Sequence, residues 1–205
     1  MNKNKLLIAL SALALMALSS QASNPTPPQT RCNLTETTAP SVRGVRLGMS
    51  AQQLLALFPG ITRKKEMKEA IEKATSTSGA EAAYLGFEPA TDGASQQFAG
   101  VESVSAGFYR ARLVDFGVQY SSANWRTVDA WIAKLSETFK LPRAQEWAVG
   151  TDEAPSKVLR CDGIVIEAAI QGGSASIRIR NTEYPKESEE RAKAADEKKR
   201  QEIKP

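Results

Sequence analysis

Two cysteines lie far apart in the sequence, and this feature restricts the fold more than any other. Cys32 lies near the start and Cys161 in the last third of the chain. A bond between them would close a loop of about 130 residues. A redox-active thiol normally belongs to a local Cys-x-x-Cys pair, and the sequence has none. Because two such cysteines usually form one structural disulfide in an oxidising compartment, we predict that Cys32 and Cys161 are joined.

The first 22 residues have the pattern of a secretory signal peptide. Lys3 and Lys5 form a basic start, residues 6–18 are an apolar run, and Ser20-Gln21-Ala22 supplies the small residues of a cleavage site. The apolar run of about 13 residues is shorter than the roughly 20 that a membrane-spanning helix requires. We predict cleavage after Ala22, a mature chain without a transmembrane segment, and a location in the periplasm or outside the cell.

The chain contains no histidine, which excludes Ser-His and Cys-His nucleophile pairs, a histidine base and a histidine metal ligand. Two cysteines are too few for a Cys₄ zinc site, and no calcium-loop spacing of aspartates occurs. We therefore predict no catalytic, cofactor-binding or metal-binding residues. Cleavage removes Lys3 and Lys5 from the 27 basic residues, leaving 25 against 23 acidic ones, a net charge of +2. This balance, without a basic stripe, argues against a nucleic-acid partner.

Composition divides the mature chain into three parts. Residues 23–40 are rich in Pro and Thr and are predicted to form an extended leader held by Cys32. Residues 41–181 carry the apolar periodicity, and we assign the globular domain to them. Residues 182–205 contain seven acidic and seven basic residues. Acid-to-base pairs such as Glu187–Arg191 and Asp196–Arg200 favour a charged helix, either solvated or binding a partner.

Helix-start signals place two well-marked helices in the domain. Ser50 and Gln53 form a capping box ahead of an apolar stripe that ends at Phe58. Thr127 can cap a second helix, whose apolar face includes Trp131 and therefore predicts that this side chain is buried. A third, more polar helix is predicted from about residue 63 to residue 74.

Alternating apolar residues predict six strands, three on each side of the Thr127 helix. The predicted strands are residues 83–87, 101–109, 112–120, 157–161, 164–170 and 174–180. Short turns join some of them into hairpins, at Arg110-Ala111, Asp162-Gly163 and Gly172-Gly173. One face of the third strand is expected to carry its large side chains: Val114, Phe116, Val118 and Tyr120.

This order of elements predicts an α+β fold, with an antiparallel sheet and helices packed on one face. The capping residues Ser50 and Thr127 are 77 positions apart. That spacing suggests two tandem α-β-β-β units, followed by the charged C-terminal helix.

The segment Gly44-Val45-Arg46-Leu47-Gly48-Met49-Ser50 resembles a helix-start motif of uncharacterised secreted bacterial proteins. More distantly, it is similar to the BamE-type (SmpA/OmlA) proteins of outer-membrane protein assembly and to β-lactamase-inhibitor-like folds. These resemblances imply helices followed by three antiparallel strands that form a protein-binding sheet. The chain lacks the lipidation cysteine of BamE-type proteins, so neither membrane tethering nor any functional residue is carried over.

Aromatic residues on both sides of the Thr127 helix give a candidate contact patch, formed by Tyr120, Trp125 and Trp147. Because no catalytic constellation is present, the sequence favours a non-catalytic adaptor that contacts another envelope protein. The alternative is a small secreted hydrolase that uses two carboxylates. Its candidate acids lie in or beside predicted strands: Asp115, Asp162 and Glu167.

Overall fold

The computed structural model describes residues 32–78, 82–121, 125–150 and 154–184, together with Glu190, Lys193, Ala194, Glu197 and Arg200. The predicted signal peptide and the leader up to residue 31 lie outside these residues. Within the described part of the chain, no helix is long and apolar enough to cross a membrane.

Three helices and seven strands make up the described part of the domain. The helices are α1 (Ala51–Leu57), α2 (Lys68–Thr75) and α3 (Val128–Phe139). The strands are β1 (Ala83–Phe87), β2 (Val101–Tyr109), β3 (Arg112–Tyr120), β4 (Ala148–Val149), β5 (Ser156–Arg160), β6 (Ile164–Gln171) and β7 (Ser174–Asn181). Each of the six predicted strands is present to within one residue at either end, and the two-residue β4 is additional.

The predicted start signals cap the helices as expected. Ser50 Oγ accepts the backbone N–H of Gln53 at 3.2 Å, and Gln53 Oε1 accepts the N–H of Ser50 at 2.9 Å. Thr127 Oγ1 accepts the N–H of Ala130 at 3.2 Å. The polar helix predicted from residue 63 begins later, at Lys68, because Lys64 has an extended backbone that separates two short 3₁₀ turns from each other.

All seven strands form one antiparallel sheet in the order β1-β2-β3-β7-β6-β5-β4. The two halves of the chain meet where β3 pairs with β7, from Asp115↔Arg180 to Tyr120↔Ala175. The predicted combination of helices with an antiparallel sheet is confirmed, although the sheet outweighs the three short helices.

One face of the sheet supplies most of the hydrophobic core. A row of paired residues crosses six strands, and each of its members is at most 3% exposed: Leu85, Ala106, Phe116, Ile179, Ile166 and Leu159. Leu54 of α1 and Ile132 of α3 belong to the same cluster. Each large apolar side chain buried in this way contributes about 1.5–3 kcal/mol before conformational entropy is subtracted.

A β-bulge in β3 changes the expected alternation. Gly107 pairs with Asp115 and Phe108 pairs with Leu113, so Val114 is an extra residue without a partner in the ladder. Leu113 is fully buried in the core cluster, whereas Val114 lies outside that cluster and lines a polar pocket. The prediction that Val114 shares a face with Phe116 is therefore wrong, because alternation cannot continue through an inserted residue.

Tight turns connect the hairpins at the predicted places. Arg110 has φ 51° and Ala111 has φ 60°. Positive φ at both central residues is what a two-residue turn between right-twisted strands requires. Cys161 donates its N–H to the carbonyl of Ile164 at 2.8 Å across the Asp162-Gly163 turn. Gln171 pairs with Ser174 across the two glycines of the last turn.

The predicted disulfide between Cys32 and Cys161 is confirmed. It attaches the leader to the β5–β6 turn, where Asp162 also donates its N–H to the carbonyl of Cys32 at 3.3 Å. A few residues later, Glu36 accepts hydrogen bonds from Arg112 Nη2 at 2.6 Å and from Asn181 Nδ2 at 3.1 Å. The leader is thus tied to β3 and β7 as well as to the turn.

Beyond Tyr184, the structure describes the charged C-terminal segment only at five positions. Glu190, Lys193, Ala194, Glu197 and Arg200 have helical backbone and are exposed, in agreement with a solvated helix. The predicted pairs Glu187–Arg191 and Asp196–Arg200 involve residues outside the described part of the chain.

A buried carboxylate joins the loop before β2 to the segment after α1. Asp92 is completely buried, its Oδ1 lies 2.8 Å from Lys64 Nζ, and its Oδ2 accepts the N–H of Glu88 at 2.8 Å. The interaction with Asp92 raises the pKa of Lys64 above its ordinary value. The carbonyl of Asp92 also accepts the N–H of Gly60 at 2.9 Å, so this residue joins the two segments through both its side chain and its backbone.

Removal of the disulfide is expected to destabilise the protein substantially. The double variant Cys32→Ser/Cys161→Ser should lose up to about 5 kcal/mol of unfolding free energy, because the unfolded chain regains the entropy of an open loop. Guanidinium denaturation with and without reductant measures this loss. Reductant should shift the wild-type midpoint and leave the variant unchanged, and an equal shift in both would contradict the assignment.

Loss of the buried Asp92 carboxylate is expected to destabilise the fold. Asp92→Ala should lower the unfolding free energy by about 2 kcal/mol, the usual value of a buried hydrogen bond to a charged group. Glu66→Ala is the matched control, because Glu66 is an exposed acid in the neighbouring turn. This control should change stability by less than about 0.5 kcal/mol. Equal urea midpoints for the two variants would show that the Asp92 contacts contribute nothing.

Candidate functional site

An apolar groove opens at the end of the sheet where β3 finishes, between α3 and the tight turn Val42–Val45. Its volume is about 360 Å³, and it remains open along one side. Three separate segments supply its lining: Val42, Arg43, Tyr120, Trp125, Trp131, Lys134, Leu135, Thr138 and Phe139. We call this feature the aromatic groove.

Trp131 forms the floor of the aromatic groove and is only 3% exposed. Its indole N–H donates to the carbonyl of Ser176 in β7 at 2.8 Å, which fixes the ring against the sheet. The Trp125 ring lies 4.4 Å from the Trp131 ring, centroid to centroid, and the Tyr120 ring lies 5.3 Å away at a steep angle. The prediction that Trp131 is buried is therefore confirmed. Its two aromatic neighbours, Tyr120 and Trp125, are partly buried.

The structure brings together two of the three residues of the predicted contact patch. Tyr120 and Trp125 both pack on Trp131 and line the groove. Trp147 is 4% exposed and donates its indole N–H to the carbonyl of Pro142 at 3.1 Å. A 3₁₀ turn at Ala144–Glu146 folds the chain back after α3 and carries this ring into the core, so Trp147 cannot belong to a surface patch.

Arg43 lies at the rim of the aromatic groove and was not foreseen from the sequence. It occupies a turn in which Arg43 has φ 55° and Gly44 has φ 91°, closed by hydrogen bonds between Val42 and Val45. Arg43 Nη2 donates to the carbonyl of Ala99 at 3.1 Å, and Gln97 Nε2 donates to the carbonyl of Arg43 at 3.0 Å. The turn and Gln97 therefore hold the backbone of Arg43, and the hydrogen bond to Ala99 restrains its side chain.

The charged groups of the aromatic groove are both positive. The lining contains Arg43 and Lys134 but no carboxylate. Lys134 Nζ lies 2.9 Å from the carboxylate of Glu137, which is on the exposed side of α3. Among the described residues, no carboxylate lies within ion-pair distance of Arg43. Arg43 therefore gives the rim one positive charge that no described carboxylate compensates.

The Tyr120 hydroxyl is a polar group inside this largely apolar surface. Burial raises the pKa of Tyr120, and the positive charge of Arg43 acts in the opposite direction. At neutral pH the phenol stays protonated, so it can donate a hydrogen bond next to the guanidinium.

Two of the three candidate acids of the hydrolase alternative are paired with arginines. Asp115 accepts two hydrogen bonds from Arg178, at 2.9 and 2.5 Å, and Glu167 lies 3.7 Å from Arg180. These groups alternate across β3, β7 and β6 on the face of the sheet opposite the core. Asp162 is in the β5–β6 turn, where its backbone N–H binds Cys32. Such ion pairs resemble structural cross-strand pairing more than two free catalytic carboxylates.

A second, polar pocket lies beside the β2–β3 turn. Its volume is about 270 Å³, and it is lined by Glu36, Tyr109, Arg110, Arg112, Val114, Asn181 and Tyr184. Tyr109 is 5% exposed, its ring lies 4.5 Å from that of Tyr184, and its hydroxyl has no hydrogen-bond partner among the described residues. Neither this pocket nor any other site among the described residues contains a cluster of three or more potential metal ligands.

The unpartnered hydroxyl of Tyr109 gives a stability prediction. Tyr109→Phe should raise the unfolding free energy by about 1 kcal/mol, because it removes a buried polar group that has lost its hydrogen bonds to water. Tyr84→Phe is the control, since Tyr84 is 63% exposed and its hydroxyl stays hydrated. Urea denaturation checks both variants, and a destabilised Tyr109→Phe protein would reveal a partner for this hydroxyl.

No family model matches the chain, and neither the curated proteins nor the solved structures include one similar to it. The resemblance of the Gly44–Ser50 segment to secreted bacterial and BamE-type proteins therefore stays a prediction. Any assignment of function depends on the geometry of the groove and of the sheet.

Proposed function

We propose that this protein is a non-catalytic binding protein of the periplasm or the extracellular space, and that it acts as an adaptor for another envelope protein. The aromatic groove is the observation on which the proposal depends. It would receive an apolar side chain of the partner between Tyr120, Trp125 and the floor formed by Trp131.

The composition of the groove supports protein binding. Tryptophan, tyrosine and arginine dominate the energetics of protein interfaces, and all three occur in its lining. Trp131 is already fixed by its hydrogen bond to Ser176, so little side-chain entropy is lost on its contact with a partner. The open side favours an inserted side chain over a fully enclosed small molecule.

The predicted signal peptide and the disulfide support a location outside the cytoplasm. Disulfides persist mainly in oxidising compartments, and the Cys32–Cys161 bond closes most of the folded chain. The hydrolase alternative has less support, because both candidate acids on the outer face of the sheet are paired with arginines.

The finer description of the fold is also part of the proposal. We infer that the helices cover one face of the sheet and that the chain contains two related α-β-β-β units. The pairing of β3 with β7, the last strand of each unit, supports this inference. A sheet with one free face agrees with the protein-binding sheet implied by the BamE-type resemblance.

Site-directed photo-cross-linking in the native envelope tests the proposed contact. Replacing Thr138, an exposed residue of the groove, by a photoreactive phenylalanine analogue should yield a cross-linked partner identified by mass spectrometry. The same probe at Gln119, exposed on the outer face of β3, is the matched control. The partner should be captured from position 138 and be weaker or absent from position 119.

The variant Trp125→Ala connects the captured protein to the groove. Its loss of an aromatic contact should reduce the affinity for the purified partner by roughly tenfold or more, whereas Tyr84→Ala on the outer face should leave it unchanged. Isothermal titration calorimetry measures both affinities, and circular dichroism verifies folding. Cross-links from position 138 that persist in Trp125→Ala, or that map to residues 185–205 of this same chain, would count against the proposal.

A further inference from the structure

We infer that the aromatic groove recognises an acidic peptide segment, in which an apolar anchor side chain lies next to an aspartate or a glutamate. This inference rests on the proposed function and names the chemistry of the partner. The apolar lining selects the anchor, and the charge of Arg43 selects the acid beside it.

The charge of the rim carries the argument. Both ionisable groups of the groove that are charged at neutral pH are cations, and no described carboxylate neutralises Arg43. A basic segment would meet repulsion there, and a neutral one would leave the guanidinium without an oppositely charged partner. An acidic residue supplies the missing partner and matches the planar donor geometry of arginine.

The position of Arg43 makes this selection local to the groove. Gln97 binds the backbone carbonyl of Arg43, and the guanidinium itself donates to the carbonyl of Ala99, which holds its charge at one end of the apolar surface. Tyr120 lines the same groove as Arg43, and its protonated hydroxyl can donate to a second oxygen of the same carboxylate. A partner therefore needs its acid within one or two positions of its anchor.

A selection from a random peptide display library tests this inference on the intact protein. Peptides enriched on the wild type should combine an aromatic or aliphatic residue with Asp or Glu within two positions. The same selection on Trp125→Ala identifies peptides that use the groove, because these should be lost. One enriched peptide is then synthesised, together with a copy in which glutamine or asparagine replaces each acid.

Affinities of the two peptides isolate the contribution of Arg43. Arg43→Met should weaken the acidic peptide by about tenfold, the usual effect of losing a charged hydrogen bond, and leave the neutral copy unchanged. Arg43→Lys should give an intermediate value, since it keeps the charge but not the planar geometry. Arg46→Met is the matched control: it removes the same charge from an exposed neighbour that does not line the groove, and it should change neither affinity.

The outcomes separate this inference from the proposed function. Groove-dependent peptides that are neutral or basic, or an acidic peptide that binds Arg43→Met as tightly as the wild type, would overturn the inference and leave an apolar binding groove. A selection in which no peptide depends on Trp125, or in which free decanoate binds and peptides do not, would also overturn it. Photo-cross-linking from Thr138 then decides independently whether the groove binds a protein at all.

Discussion

The pairing of β3 with β7 is the interaction on which the other parts of the structure depend. It joins a three-stranded half and a four-stranded half of the sheet, each of which would otherwise present an unpaired strand edge, at β3 or at β7. The same pairing makes the apolar row through Phe116 and Ile179 continuous. It also builds the groove, because Tyr120 ends β3 while the carbonyl of Ser176 in β7 holds the floor ring Trp131.

Local signals allowed much of the fold to be predicted. The turns at Asp162-Gly163 and Gly172-Gly173 and the caps at Ser50 and Thr127 depend on residues within four positions of one another. The disulfide could be predicted because a chain with a predicted signal peptide and two cysteines leaves one intramolecular pairing. Alternation holds along β3 from Asp115 onwards, but the inserted residue Val114 leaves no compositional trace and shifts the face of the residues before it.

The candidate site was predicted only in part, because it is assembled from distant segments. Tyr120 and Trp125 are close in sequence and meet on Trp131, but Trp147 turns inward through a 3₁₀ turn whose direction no periodicity encodes. Arg43 approaches the same ring cluster from a segment that precedes even the first helix. Its one local signal is the following Gly44, which is typical of a tight turn but does not show what that turn faces.

The left-handed backbone of Arg43 costs folding free energy, whereas its guanidinium serves the recognition that we propose. A residue other than glycine or asparagine costs about 1 kcal/mol in this conformation, so replacement by either of those two would relieve this strain but lose the hydrogen bond from the guanidinium to Ala99. Each of these replacements would also remove the guanidinium from the rim. A chain that keeps it gives up some folding free energy to hold a positive charge at the mouth of an apolar groove.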